Sequence, residues 1–238
     1  MRVYILIHGG AEGGWCWDPI VPLLRAAEGV GDVFAVDLPG FGERRVADLD
    51  AIRFDDSVAT VVDLAERRDL QNLILVGHSM GSITAIEASR RIPERLNRLV
   101  LLGGMVPYEG VSSSDMLQIH FDGQPSPMER MEKSSEREIY GALDMDADTE
   151  ARFFRRLVPL DAIPRQPLTT PIYPTRIPAH VPVTYVVQTR DHSLPADMQR
   201  RMIDNLPHPP DEVLELDAAR NPMIGRPHET ARLLLRYA

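Results

Sequence analysis

The feature that most constrains this chain is a pentapeptide between a strand and a helix. Leu73-Ile74-Leu75-Val76 runs into Gly77-His78-Ser79-Met80-Gly81, and Ile83, Ile86 and Ala88 then continue at helical spacing up to Ile92-Pro93. Gly-x-Ser-x-Gly has a steric reason. The serine occupies a strained, sharp turn that exposes its hydroxyl, and the flanking glycines let the strand and helix backbones approach. Three fixed residues, each near 7% of ordinary usage, recur by chance roughly 0.1 times in a chain of this length. The context therefore decides, and a strand before with a helix after is the context the motif needs. The bland alternative is an ordinary strand-helix turn carrying an incidental serine.

Further short apolar runs have strand character: Val3–Ile7, Val33–Val36, Leu99–Leu102, Val183–Val187 and Val213–Leu216. They lack clean polar alternation, which predicts strands covered on both faces. Helical patterns alternate with most of them. Val58, Val61, Val62 and Ala65 follow the i, i+3, i+4, i+7 spacing, with Asp55, Asp56 or Ser57 placed to cap them. Leu194 to Leu206 and Arg226 to Tyr237 supply two more helices, the latter opening on Pro227. The expectation is an α/β fold: a mostly parallel sheet of about six strands with helices on both faces.

The alternation breaks between about 106 and 177, a polar, proline- and methionine-rich stretch with one short helical pattern from Asp148 to Leu157. Phe153, Phe154 and Leu157 favour a packed cap over a disordered linker. At 238 residues, the chain suits one domain, 1–238, with this cap inserted. Met105, Met116, Met128 and Met131 are candidates for an adaptable apolar pocket under it, or for plain core filling.

A net charge of −9 argues against nucleic acid as a partner, because phosphate is repelled. Cys16 is the single cysteine, so no intrachain disulfide forms, which fits a reducing compartment. Val3–Ile7 is too short for a signal-peptide core, and no stretch reaches the length of a membrane span. These readings predict a cytoplasmic protein with a small-molecule substrate and no membrane partner. They are compatible with a homodimer.

Two other pieces accompany the serine. His8-Gly9-Gly10 directly follows the first strand. Such a turn aims a backbone N–H at a developing oxyanion, with the second N–H coming from the residue after the nucleophile. The candidate oxyanion hole is therefore Gly10 and Met80, and His8 is read as a buried turn-stabilising residue. Thr189-Arg190-Asp191-His192 follows the fifth apolar run and places a carboxylate, Asp191, after the serine in chain order.

Taken together, these segments resemble the hydroxynitrile lyase and plant methylesterase branch of the α/β-hydrolase fold. The resemblance runs through His8 to Trp17, Asp37-Leu38-Pro39-Gly40-Phe41-Gly42, the Gly77–Gly81 turn, Gln166-Pro167-Leu168, and Asp191-His192-Ser193-Leu194-Pro195 with Gln199-Arg200-Arg201-Met202. It implies a six-stranded core, a small cap, and a site for small esters or cyanohydrins. The departure is at the base. The family pattern after the last strand is Asp-x-Gly-His-Ser-Pro-Met, and this chain reads Asp217-Ala218-Ala219-Arg220-Asn221-Pro222-Met223. With Asp217 and Pro222-Met223 setting the register, the family's catalytic histidine falls on Arg220. Arginine stays protonated in proteins and cannot take a proton from serine. Ala219 and Asn221 differ as well, which reads as natural divergence. Glu12, where relatives often carry histidine, is read as marking a different cap contact.

The candidate catalytic set is thus Ser79, Asp191 and Arg220. His192, beside the acid, and His120, in the cap, are the possible substitute bases. His78 is expected to point away from the cleft, and His180, His208 and His228 to lie too far off. Arg220 is expected to form a bidentate ion pair with Asp191 near the oxyanion hole. Three functions fit such a site. One is an esterase-like enzyme acting on a small ester or thioester. Another is a lyase, decarboxylase or cyclase for an enolisable molecule, with Arg220 steadying the anion. The third is a binding homologue without turnover. No cofactor or metal is expected, since no ligand spacing or phosphate-cradling loop is present.

Overall fold

Among the residues described by the computed structural model, 1–120 and 123–238, eight strands are defined. They are β1 (Arg2–Ile7), β2 (Val30–Val36), β3 (Leu73–His78), β4 (Leu96–Leu102), β5 (Val111–Ser112), β6 (Pro171–Ile172), β7 (Val183–Gln188) and β8 (Glu212–Leu216). Six form one sheet in the order β2-β1-β3-β4-β7-β8, with every neighbouring pair parallel. β5 and β6 make a separate antiparallel pair.

Period-two alternation explains why the runs look uniformly apolar. Ile5, Ile7, Leu73, Leu75, Leu99 and Leu101 enter one core layer. Their chain neighbours Tyr4, Leu6, Ile74, Val76, Val100 and Leu102 enter the other. Both faces are buried, so both need apolar residues. The helices Phe54–Arg67, Gly81–Arg91 and Ala196–Ile203 cover the first layer with Val58, Ile83, Ile86, Met198 and Met202. Val21–Arg25, Pro222–Gly225 and Pro227–Leu234 cover the second with Leu24, Met223 and Leu234.

The expected six-stranded sheet with helices on both faces is present, and the element boundaries differ locally. β2 starts at Val30, three residues before its apolar run, because Val30 pairs with Arg2 at the sheet edge. The helix expected to be capped by Asp55, Asp56 or Ser57 begins instead at Phe54. Phe54 is buried, and the Asp56 carboxylate reaches back to accept from the Arg53 N–H at 2.7 Å. The last helix does open on Pro227.

Between β4 and β7 the chain forms short helices, including Pro127–Glu132, Glu136–Ile139 and Ala147–Arg156. Phe153 is buried with Ala142 and Met145 in a third apolar cluster, and Trp15 and Ile224 pack against it from the sheet side. The segment is thereby fastened across the carboxyl ends of the strands. All six sheet strands run the same way, so the segments that follow β1, β3, β7 and β8 emerge on that one edge, where open α/β sheets place their ligands. Among the described residues, no helix is long and apolar enough to cross a membrane.

Candidate active site

Ser79 immediately follows β3 with φ +49°, a left-handed conformation that is uncommon outside glycine and marks local strain. Its backbone is pinned from several sides. The Ser79 N–H donates to Leu102 O at 3.0 Å, and the Met105 and Ser82 N–H groups donate to Ser79 O at 3.0 and 3.1 Å. Gly81 is where the turn presses on β1: a Cβ there would lie 2.4 Å from the His8 carbonyl oxygen. Both sides of that contact are backbone, so neither yields cheaply. Gly81→Ala is expected to cost about 3 kcal/mol, read as a lowered urea midpoint with an unchanged m-value.

The loop after β1 is organised by His8. Its Nδ1–H donates to Gly9 O at 2.7 Å, and Nε2 accepts from the Leu38 N–H at 3.1 Å. Burial first of all pushes its pKa down, so it is a neutral structural ring, as the sequence suggested. Asp37 ties the neighbouring turn, accepting from the Gly14 and Glu43 N–H groups at 2.6 and 3.0 Å. Among the described residues, the Gly10 and Met80 N–H groups have no protein acceptor. Met80 follows the serine in the chain, and Gly10 and Met80 line the same cavity.

Asp191, after β7, is buried. Its Oδ1 accepts from the Ser193 and Leu194 N–H groups at 2.8 and 3.1 Å. Buried Gln199 locks this loop by donating to Gln188 O and Leu194 O and accepting from the Gln188 N–H. The other oxygen, Oδ2, faces Arg220 Nη1 at 3.3 Å. Arg220 Nη2 donates to Ser79 Oγ in a short hydrogen bond. The expected bidentate pair with Asp191 is therefore corrected. Each nitrogen has its own partner, because two backbone amides already claim one carboxylate oxygen. The side chains of Arg220 and Asp191 are 13% and 0% exposed, and Ser79 is 0% exposed. The guanidinium lies between the hydroxyl and the open space.

That space is a cavity of about 440 Å³, within the usual size range of ligand pockets. Met80, Met105, Leu117, Met128, Met131 and Ile139 give it a largely apolar lining, and Arg220, Glu132, Ser113, Ser114 and Ser193 are among its polar members. Three of the four candidate methionines are there. Met116 is instead fully buried in the core. Tyr140 also faces the cavity. Burial raises its phenol above the ordinary range, and the Arg220 charge works in the opposite direction.

The candidate substitute bases are not at the site. The His192 side chain is 45% exposed with Nδ1 3.9 Å from Glu138, and that of His120 is 56% exposed with Nε2 3.4 Å from Glu129. Each solvated ring is drawn to a surface carboxylate on a nearby short helix. Among the described residues, neither contacts Ser79, and no imidazole or carboxylate accepts from its hydroxyl. Cys16 offers no alternative nucleophile, since burial, and after it Glu12, holds its thiol well above the ordinary range.

Glu12 corrects another expectation. Among the described residues, none of its hydrogen-bond or ion-pair partners is in the cap. It is buried at 1% exposure, accepts from the Gly9 N–H at 3.0 Å, and faces His78 Nδ1 at 3.3 Å. His78 points away from the cleft as expected, and its Nε2–H donates to Arg220 O at 2.8 Å. Asp144 was also missed. It takes two bonds from Arg190 Nη2, at 2.8 and 3.0 Å, and one from the Ala219 N–H at 2.8 Å, which anchors the loop carrying Arg220. An acidic residue within an irregular segment gives no local sign of such a role. Among the described residues, no group of three or more potential ligands could hold a metal.

Residues 4–233 match the model of a family described as the Alpha/beta hydrolase family. Methylesterase 9 of Arabidopsis thaliana is 27% identical over 259 residues, covering 100% of this chain and 98% of that protein. Among solved structures, an extracellular alpha/beta-hydrolase from a Paenibacillus species superposes with a TM-score of 0.78 at 20% identity, over 100% of this chain and 99% of that one. A pyrethroid hydrolase from Sphingobium faniae JZ-2 superposes with a TM-score of 0.74 at 22% identity, over 100% and 97%. At these identities the two structures establish a shared fold.

Proposed function

The chain belongs to the alpha/beta hydrolase family and is an esterase-like enzyme of it, and from that premise we propose that it acts on a small, largely apolar ester or thioester with an atypical set of Ser79, Asp191 and Arg220. One observation carries the reading: Arg220 donates to Ser79, faces Asp191 and lines the cavity, and by resemblance of the 217–223 segment it stands where the family pattern has histidine. The substrate carbonyl lies against the Gly10 and Met80 N–H groups, with its apolar body among the methionines. Arg220 contributes a fixed positive charge where the carbonyl oxygen becomes anionic, an interaction strengthened by burial. It takes no proton. The proton acceptor comes with the substrate, as a basic group of its own. Serine hydrolases stripped of their base still retain about 10³–10⁴-fold catalysis over water from the hole and binding alone.

A second reading is favoured by the full burial of Ser79 beneath the guanidinium. In it the serine never bonds to substrate, and the site acts as a lyase, decarboxylase or cyclase on an enolisable molecule whose anion Arg220 stabilises. In both readings residues 106–177 are the cap of a single domain, 1–238, in a cytoplasmic protein that needs no cofactor and is compatible with a homodimer.

Benzoate and p-nitrophenyl acetate test the site. Benzoate is expected to bind, measured by calorimetry, and Arg220→Ala is expected to weaken it at least tenfold, the usual scale for a charge-assisted hydrogen bond. p-Nitrophenyl acetate carries no base of its own and should give no nitrophenol burst. A stoichiometric burst abolished in Ser79→Ala would mean that the protein supplies a base and that Arg220 does not define the chemistry.

A further inference from the structure

A buried carboxyl–imidazole pair lies behind the serine turn, on the side away from the cavity. Glu12 and His78 have side-chain exposures of 1% and 0%, with Oε2 and Nδ1 3.3 Å apart. Such a pair is expensive to bury, and an apolar pair of similar size is often more stable. Its connections indicate what it is for. Glu12 Oε2 also accepts from the Gly9 N–H at 3.0 Å, in the loop that carries Gly10. His78 is the residue before Ser79, and its Nε2 meets the carbonyl oxygen of Arg220 at 2.8 Å. A carbonyl only accepts, so Nε2 bears a hydrogen.

We propose that Glu12 and His78 are positioning residues, a clamp that holds the oxyanion loop, the serine turn and the backbone of residue 220 together so that the Arg220 guanidinium reaches Ser79. The surroundings are shaped to it. Gly9 leaves room for the pair, since a Cβ there would lie 2.8 Å from His78 Nδ1 and 3.2 Å from Glu12 Oε2. From the opposite side Gly141, at φ +66°, presses on the same backbone, where a Cβ would lie 2.4 Å from Arg220 N. Residue 220 is thus gripped between His78 and Gly141. Burial alone would push the Glu12 carboxyl up, but His78 beside it prevails and the net shift is downward. That is the behaviour of a carboxylate that keeps its charge for its partner.

The inference rests on the reading of Arg220 as the working cation, and the test separates the two. The full-length protein is compared with His78→Leu, His78→Gln and Glu12→Gln. Glutamine at 78 keeps an N–H for the Arg220 carbonyl. Glutamine at 12 keeps the acceptor for Gly9 but loses the charge. The first readout is the NMR resonance of the Arg220 Nε–H, assigned by its loss in Arg220→Lys. It is expected to move toward the free-arginine position in His78→Leu and to remain largely in place in His78→Gln. The second is benzoate affinity, expected to weaken at least tenfold in His78→Leu with recovery in His78→Gln. If the leucine variant does not fold, Glu12→Gln carries the test and is expected to shift the same resonance. An unmoved resonance in the folded leucine variant, or in Glu12→Gln where that one is used, overturns the clamp, whatever benzoate does. A shifted resonance in a protein whose wild type fails to bind benzoate leaves the clamp standing and removes the anion-binding reading.

Discussion

Arg220→His is expected to raise p-nitrophenyl acetate hydrolysis about 10³-fold or more. The expectation rests on how much of an ordinary serine triad is already in place. Ser79 occupies its strained turn at φ +49°, and among the described residues the cavity-lining Gly10 and Met80 have N–H groups without a protein acceptor. Asp191 is oriented by the Ser193 and Leu194 amides, which leave Oδ2 directed at residue 220. The backbone of residue 220 is held by His78. A histidine there gains the carboxylate partner that fixes its tautomer and uncovers the hydroxyl. In the well-studied cases, removing the base costs on the order of 10⁴–10⁶ in rate, so recovering even part of that is a large effect. Steady-state kinetics of the variant checks it. A rate that does not change would mean that the 217–223 loop does not present residue 220 to Ser79 as a base.

Asp191→Ala is expected to destabilise the protein by about 3–5 kcal/mol, the usual cost of removing one partner from a buried ion pair. The reason is the strandedness it creates. Arg220 is only 13% exposed along its side chain, and without Asp191 its charge faces the Ser79 hydroxyl alone. The Ser193 and Leu194 N–H groups lose their acceptor at the same time. For a chain of this size the loss corresponds to a drop of roughly 6–20 °C in Tm. Asp191→Asn keeps an acceptor for the two amides and removes only the charge, so it is expected to fall between wild type and alanine. Calorimetric melts of the three proteins, with urea unfolding as a check, test the ordering. Equal melting temperatures for Asn and Ala would place the whole effect in the charge pair.

Much of this arrangement was legible in the sequence because it is coded locally. The strand-turn-helix around Ser79 follows from glycine sterics, and the placement of Arg220 follows from register between Asp217 and Pro222. What escaped was set by residues distant in sequence. Glu12 and His78 sit in two separately recognised motifs, and nothing in either motif announces that the two side chains meet behind the turn. The bidentate Arg220–Asp191 pair failed for a similar reason, since the amides that occupy Asp191 Oδ1 become visible only once the 191–194 loop is folded. His192 and His120 lie near Asp191 and the cap in the chain, but solvation and the surface acids Glu138 and Glu129 decide where their rings go. Part of the intervening segment is also coded locally. Ser126 with Glu129, and Ser135 with Glu138, are capping boxes that mark the two short helices lining the cavity.

The arrangement that governs this chemistry is Ser79 held beneath a fixed cation, with no base beside it among the described residues. It is tested most directly by exposing the protein to diisopropyl fluorophosphate and measuring the intact mass. The arginine site predicts no phosphorylated Ser79 in the wild type and stoichiometric modification of that residue in Arg220→His. Rapid, stoichiometric labelling of Ser79 in the wild type would contradict it.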